Sequence, residues 1–262
     1  MRSDIKAWFG SLARAGYAAR GMIYAVIGFF AALAAIGGGE AMGSRDALGT
    51  LLDSAGGSVL AALLVAGLVF YAVWRFIQAV FDADGHGTDA KALAIRAGLL
   101  ASAVTYATLA SYTLSLMQGG DGGEGGGDWA QMLSGIVGAR AVSFMLALVL
   151  AGAGIAHIVK AVRERYARNM DADAAAMRII HPVAKTGLIA RGGIFMVLAF
   201  LLVTRSVSGG DQAGTRDALE FVQGLPFGWL LLSLTGAGLI AFAVYSFALA
   251  RYRRVDMNRV PV

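Results

Sequence analysis

Six apolar runs dominate this chain, at residues 17–37, 58–81, 93–117, 137–162, 183–207 and 225–250. The hydrocarbon core of a bilayer is about 30 Å thick, so a helix needs about 20 mostly apolar residues to cross it. Backbone polar groups inside lipid must be satisfied within the segment, so runs of this length are helices. They lack the period-2 alternation of barrel strands. The expected fold is all-α: a polytopic integral membrane protein with six transmembrane helices. Composition agrees, with 58% hydrophobic and 15% charged residues, where a soluble domain carries about 25% charged.

Charge sets the expected orientation. Lys and Arg concentrate on cytoplasmic loops. The N-terminus, the second and fourth loops and the C-terminus hold 18 of the 22 Lys and Arg residues, helix ends included. The other three loops hold Arg45, Arg140, Arg205 and Arg216. Both termini are therefore expected in the cytoplasm. The basic excess matches anionic lipid headgroups, and no nucleic-acid motif accompanies it. Cysteine is absent, which excludes disulfide and thiolate chemistry.

The first run follows a basic N-terminus and has the outline of a secretory signal. Its text returns later in the chain, however, so it reads as architecture. "ARAGYAARGMIYAVIG" at 13–28 is echoed by "AKTGLIARGGIFMVLA" at 184–199. An offset of 171 brings Gly16, Arg20, Gly21 and Ile23 onto Gly187, Arg191, Gly192 and Ile194, and "GSRDAL" at 43–48 onto "GTRDAL" at 214–219. An offset of 82 brings Arg14, Gly16 and Tyr24 onto Arg96, Gly98 and Tyr106. The chain thus reads as three copies of one two-helix hairpin, at 5–86, 87–168 and 176–257. Two crossings per copy bring every copy in from the same side, so the repeats are parallel, related by an axis along the membrane normal.

Each hairpin has a similar outer loop. Ser44 and Thr215 suit helix caps, and Asp46 and Asp217 suit a first turn. Short outer helices are expected at 45–53, 128–134 and 216–223. Ile5, Trp8, Phe9 and Leu12 fall at helical spacing opposite Lys6, as in an amphipathic interfacial helix, and Ile179, Ile180 and Val183 echo them.

Two motifs carry a family resemblance. Copy one opens with "ARAGYAARGMIYAVIG" and closes with "AGLVFYAVWRFIQA" at 66–79. Copy three keeps the first motif and closes with "AGLIAFAVYSFALA" at 237–250. Copy two has Ser102 in place of the arginine, and His157 where copy one has Arg75. The pattern resembles the membrane family catalogued as domain of unknown function 1206, over nearly the whole chain. The resemblance implies a bacterial cytoplasmic (inner) membrane protein and brings no established activity.

Four polar residues inside the runs are candidate lipid or anion contacts: Arg20, Arg75, His157 and Arg191. Arg20 and Arg191 lie about one turn inside the boundary, where a long stem reaches the headgroups by snorkelling. That reading predicts a mild effect of Arg20→Lys. An anion or lipid-phosphate site, or a tie to a neighbouring helix's carbonyls, are the alternatives. Arg75 is deeper and follows Trp74, which suits an interfacial anchor; a buried pair or a polar cavity lining are the other readings. Tyr24 and Tyr106 read as packing. Gly16, Gly21, Gly98, Gly187 and Gly192, with Gly28 and Gly238, read as small residues for close helix packing.

"DADGHGTD" at 82–89 has its Gly85 in the wrong place for a calcium loop and no distal Glu, so it reads as a polar turn. His157 and His181 lack metal-ligand spacing. No catalytic constellation or phosphate-binding loop appears, so neither an enzyme nor a cofactor is expected. The leading functional expectation is a structural or interaction module that packs with itself, as a homo-oligomer, or with another membrane protein. The alternative is a small channel or transporter for an anionic solute or lipid phosphate along a pseudo-threefold axis.

Overall fold

The computed structural model describes residues 2–36, 49, 53, 56–85, 87–119, 139–208 and 215–253. Among them every element longer than three residues is a helix. In chain order these are α1 (Arg2–Ala35), α2 (Gly57–Phe81), α3 (Ala90–Met117), α4 (Ala139–Val162), α5 (Ala174–Ser208), α6 (Thr215–Gln223) and α7 (Gly228–Tyr252). Six of them are long and apolar enough to cross a membrane, over Ala13–Ala35, Gly57–Phe81, Ala92–Met117, Arg140–Val162, Ala174–Thr204 and Gly228–Tyr252. The protein is an all-α, multi-pass integral membrane protein.

Two helices run further than hydropathy alone predicts. α1 begins at Arg2, so the expected interfacial helix is one piece with the first span. α5 begins at Ala174 and passes through Pro182. Pro182 is the ninth residue of α5, more than two turns in, where proline removes one helical hydrogen bond and crowds the preceding turn. Of the residues that echo the amphipathic segment, Ile180 is buried and Ile179 is exposed. The third outer helix is α6, on which Arg216 pairs with Glu220 at 2.8 Å. Its Ala218 and Leu219 are fully buried. The first two outer helices, expected at 45–53 and 128–134, fall outside the described residues apart from Gly49 and Asp53.

The 82–89 segment is a polar turn with local causes. Asp82 ends α2 in the left-handed region. Its carbonyl accepts from the Gly85 amide at 2.8 Å and its carboxylate from the Gly87 amide at 2.7 Å. Gly85 and Gly87 take positive φ, where a side chain would be strained. Asp89 caps α3 by accepting from the Ala92 amide at 2.7 Å.

The chain divides into two compact units. The first comprises Met1–Arg20, Leu51–Gly126 and Ser246–Val262. In it α2 lies along α3, leaving an apolar cleft of about 250 Å³ between them, lined by Val65, Val69, Ala72, Ala107, Ala110 and Leu114. α1 crosses α2 where Gly16 meets Tyr71: a Cβ on Gly16 would stand 2.5 Å from the Tyr71 Cβ. A Cβ on Gly67 would stand 2.6 Å from that of Ala19.

The second unit comprises Gly21–Thr50 and Gly127–Tyr245. α4 lies along α5, and the closest approach is at glycines: a Cβ on Gly154 would stand 2.8 Å from the Gly192 carbonyl oxygen. α5 meets α7 with Gly187 against the Phe242 backbone and Gly238 against Ala190. α1 meets α7 at Gly28, where an added Cβ would stand 2.8 Å from the Ile240 nitrogen.

The α1–α2 and α5–α7 crossings use the same positions. Adding 171 converts Gly16, Ala19, Gly67 and Tyr71 into Gly187, Ala190, Gly238 and Phe242. The two hairpins therefore close on one pattern of small residues, the device by which membrane helices gain van der Waals contact without a hydrophobic driving force. Gly21 is buried on α1. Gly98 departs from the expectation: a Cβ there would meet nothing within 4 Å. It lies on an exposed face of α3, beside exposed Ala94 and Ala97, so it permits no close packing among the described residues.

Candidate functional site

The polar residues of the first unit form one connected network rather than separate surface anchors. α1 supplies Tyr17 and Arg20, α2 supplies Tyr71, Trp74, Arg75 and Gln78, the α2–α3 turn supplies Asp84, and the end of α7 with the residue after it supplies Ser246 and Arg253. Tyr71, Arg75 and Gln78 fall at i, i+4 and i+7, so a single stripe of α2 carries them.

Arg20 donates from Nε to the Ser246 hydroxyl at 3.2 Å and from Nη1 to the Tyr71 hydroxyl at 2.7 Å. Arg75 donates from Nη2 to the same Tyr71 oxygen and from Nη1 to Gln78 Oε1 at 3.2 Å. Gln78 Nε2 donates to Asp84 Oδ2 at 2.6 Å, and Arg253 Nη2 donates to Asp84 Oδ1 at 3.0 Å. The chain of contacts thus runs Ser246–Arg20–Tyr71–Arg75–Gln78–Asp84–Arg253. The Tyr17 ring has the Arg20 guanidinium carbon 5.0 Å from its centroid and that of Arg253 at 5.2 Å. Each cation thereby gains from the ring's quadrupole.

This geometry corrects the snorkelling expectation for Arg20, which is only 4% exposed. A bare arginine at mid-bilayer costs about 2.5–3.5 kcal/mol on insertion scales. Two hydrogen bonds from an ionised donor contribute about 1.5–3 kcal/mol each, and a desolvated cation–π contact contributes up to about 2 kcal/mol. These internal contacts offset the burial cost. Trp74 is also corrected: it is 2% exposed, not an interfacial anchor. Arg75 takes the paired role among the readings open to it, being bonded to Tyr71 and Gln78.

In the second unit Arg191 is 8% exposed and likewise does not snorkel. Its guanidinium carbon lies 4.6 Å from the Phe242 centroid, 4.9 Å from Tyr24 and 5.0 Å from Phe195. The His157 ring stands edge-on to Phe195 at 5.5 Å, and its Nδ1 pairs with the Ala153 carbonyl at 2.7 Å. Arg191 and His157 thus share one aromatic cage. Phe242 replaces Tyr71 and Ser246 replaces Arg75 at the 171 offset, so a ring face meets the cation here where the first unit offers a phenol hydroxyl.

The tie to helix carbonyls considered for Arg20 falls to another residue. Arg96 of α3 donates to the Ala79 carbonyl at 2.6 Å and the Val80 carbonyl at 2.8 Å. It completes the last turn of α2 with a cation, where the helix end is electronegative. Its alignment with Arg14 in the repeat was the available signal, but alignment does not identify a partner.

A smaller cluster follows α4. The Tyr166 hydroxyl pairs with His181 Nδ1 at 2.8 Å, Glu164 lies 3.7 Å from that nitrogen, and Lys185 Nζ meets Glu164 at 2.6 Å. The hydrogen bond and charge of Lys185 hold the Glu164 carboxyl below its usual range. Burial, aided by the Glu164 charge, pushes the Tyr166 phenol up to about 12.

The comparisons with known proteins come to the same two hairpins. The family model described as Domain of Unknown Function (DUF1206) matches residues 15–82 and 186–253. The two matches lie 171 residues apart and together cover just over half of the chain. The chain is also 29% identical to the uncharacterized protein YxxB of Bacillus subtilis (strain 168), over 99% of this chain and 96% of that protein. No solved structure matches. Each match includes the stretch that carries a buried arginine, Arg20 or Arg191, and the chain belongs to the DUF1206 family.

Proposed function

We propose that this protein is a structural and interaction module of the cytoplasmic membrane, with both termini in the cytoplasm. One observation carries the reading: in both family-matched hairpins the arginine inside the span is engaged by the chain's own side chains. A transport path calls for such groups to face a water-accessible cavity, whereas here they tie helix to helix. The glycine crossings at Gly16 and Gly187 serve the same end. The outward surface is apolar, with Leu63, Leu148 and Leu234 each more than half exposed. It suits lipid, a second copy of the chain or another membrane protein.

The test is a flux assay on proteoliposomes, run beside cross-linking in native membranes. The chain has no cysteine, so single cysteines at Leu63 and Leu148 report contacts cleanly. A module gives specific cross-linked species and no anion flux above empty vesicles. Saturable anion flux that disappears in Arg20→Gln would replace this reading with the channel or transporter.

A further inference from the structure

The α4–α5 connection carries a set of arginines that the fold leaves unmatched. α4 has 24 residues, which rise about 36 Å against a hydrocarbon core of about 30 Å. Its apolar span closes at Val162, and Arg163 follows directly. The connection therefore emerges at a membrane surface. It is folded there. The amides of Arg163, Glu164 and Arg165 donate back to the Val159, Ala161 and Lys160 carbonyls at 2.9, 3.2 and 3.1 Å. A short helical turn runs over Ala167–Asn169, and Tyr166 and Met170 are buried. Two side-chain ties fix the connection to α5: Tyr166 to His181 at 2.8 Å and Glu164 to Lys185 at 2.6 Å. Arg178 stands three residues, about one turn, before His181, so it belongs to the same end of α5.

From Lys160 to Lys185 six Lys and Arg residues stand against three Asp and Glu. The acids are engaged within the chain. Lys185 takes the Glu164 carboxylate, the Ala176 amide donates to Asp173 at 2.7 Å, and Asp171 has an interaction of its own. Arg163, Arg165, Arg168 and Arg178 make no hydrogen bond or ion pair among the described residues. Arg165 is half-buried and the other three are exposed. Beside them the aliphatic side chains of Val162 and Ile179 are 67% and 68% exposed.

We infer that the α4–α5 connection is a docking surface for anionic phospholipid headgroups. Guanidinium forks match phosphate oxygens, and basic clusters at a membrane boundary attract anionic lipid. Val162 and Ile179 are suited to bury in the boundary between headgroups and acyl chains, as the apolar side of an interfacial segment does. Three exposed arginines fit a plane of headgroups rather than an enclosed anion. The inference stands whether the chain packs as a module or conducts anions.

The full chain in neutral detergent is titrated with phosphatidylglycerol, and in parallel with phosphatidylcholine, inorganic phosphate and polyglutamate, with unfolding temperature as the readout. Phosphatidylglycerol is expected to raise Tm saturably and the other three are not, with the gain shrinking as sodium chloride is added. Each basic residue near an anionic surface contributes about fivefold to binding. The combined variant Arg163→Gln, Arg168→Gln, Arg178→Gln is therefore expected to weaken the midpoint about a hundredfold. Its lipid-free Tm should stay unchanged, because these side chains have no internal partner to lose. Arg168→Gln alone is compared with Arg140→Gln, which removes an exposed arginine at the other end of α4. Both change the net charge equally, and Arg140→Gln is expected to leave the midpoint in place. The inference is overturned if phosphatidylglycerol stabilises no better than phosphatidylcholine, if the triple variant responds as the unaltered chain does, or if Arg140→Gln weakens the response as much as Arg168→Gln. An equal response to inorganic phosphate would replace the headgroup with a free anion, and a response to polyglutamate alone would replace it with an acidic protein segment.

Discussion

Arg20 and Tyr71 are bonded at 2.7 Å where α1 crosses α2, with Gly16 one helical turn away against the Tyr71 backbone. Backbone approach and polar bond depend on each other. The glycine lets Tyr71 sit against α1, and the phenol then lies within reach of the guanidinium. Tyr71 also accepts from Arg75, so one hydroxyl joins two cations that hydropathy alone would push out of the membrane.

That joint position makes lysine a poor replacement for Arg20. Nε and Nη1 serve Ser246 and Tyr71 at once, and one ammonium on a flexible stem cannot reproduce the fork. Arg20→Lys is expected to destabilise the protein in detergent by about 1.5–3 kcal/mol, read as a lowered Tm. Indifference to the change would restore the snorkelling anchor.

The glycines divide into tight and open positions. At Gly16 an added Cβ would stand 2.5 Å from the Tyr71 Cβ and 2.6 Å from its Cα, and Gly187 meets the Phe242 backbone as closely. Gly16→Ala and Gly187→Ala should each cost about 1–3 kcal/mol, as overpacking does. Gly98, Gly152 and Gly193 have nothing within 4 Å of an added Cβ. Alanine there should be neutral or stabilising by about 0.5–1 kcal/mol, through reduced backbone freedom in the unfolded chain. Thermal unfolding of the five variants in one detergent checks the ranking.

Much of this architecture was legible in the residues, and the reason is physical. Long apolar runs admit one backbone solution in lipid, so the six spans and their helical state followed from length and hydropathy. Gly16 and Gly187 followed from the repeat, because small residues at matched positions mark close crossings. The fate of Arg20 and Arg191 did not follow. Snorkelling and burial demand the same residue at the same depth, and only the partners decide. Tyr71, Arg75 and Gln78 recur at one-turn intervals along α2, and that stripe was the readable clue to the network. Asp84 and Arg253 lie 169 residues apart and join it through a contact that no local pattern encodes.

Stability should vary with pH through the cluster after α4. Glu164 titrates lower in the folded state than its ordinary value of 4.5, because Lys185 favours the carboxylate. The folded state therefore binds its proton less readily. The contribution is complete above about pH 4.5 and lost as pH falls through the lower folded value. Tyr166 titrates higher, at about 12 against an ordinary 10. Its contribution is complete below about pH 10 and lost as pH rises towards 12. Glu164→Gln should flatten the acid limb of a Tm profile, and Tyr166→Phe the alkaline limb. An unchanged limb in either variant would contradict the assignment.

The topology is open to labelling. Cysteines introduced singly at Gly122 and Val262 should react from opposite faces of the membrane, the C-terminal one from the cytoplasm. The 18 Lys and Arg residues on the terminus-bearing side, against four on the other, are the basis. Reaction of both from one face would reject the orientation.

The central claim is that a buried arginine–tyrosine bond, rather than lipid contact, holds α1 to α2. A double-mutant cycle between Arg20→Gln and Tyr71→Phe, followed by reversible unfolding in detergent, measures that bond directly. Phenylalanine keeps the ring and its packing against Gly16, so the cycle isolates the hydroxyl. The account predicts a coupling energy of about 1 kcal/mol or more, with the double variant less damaged than the two single losses combined. Effects that add to within about 0.3–0.5 kcal/mol, the behaviour of independent sites, would contradict it.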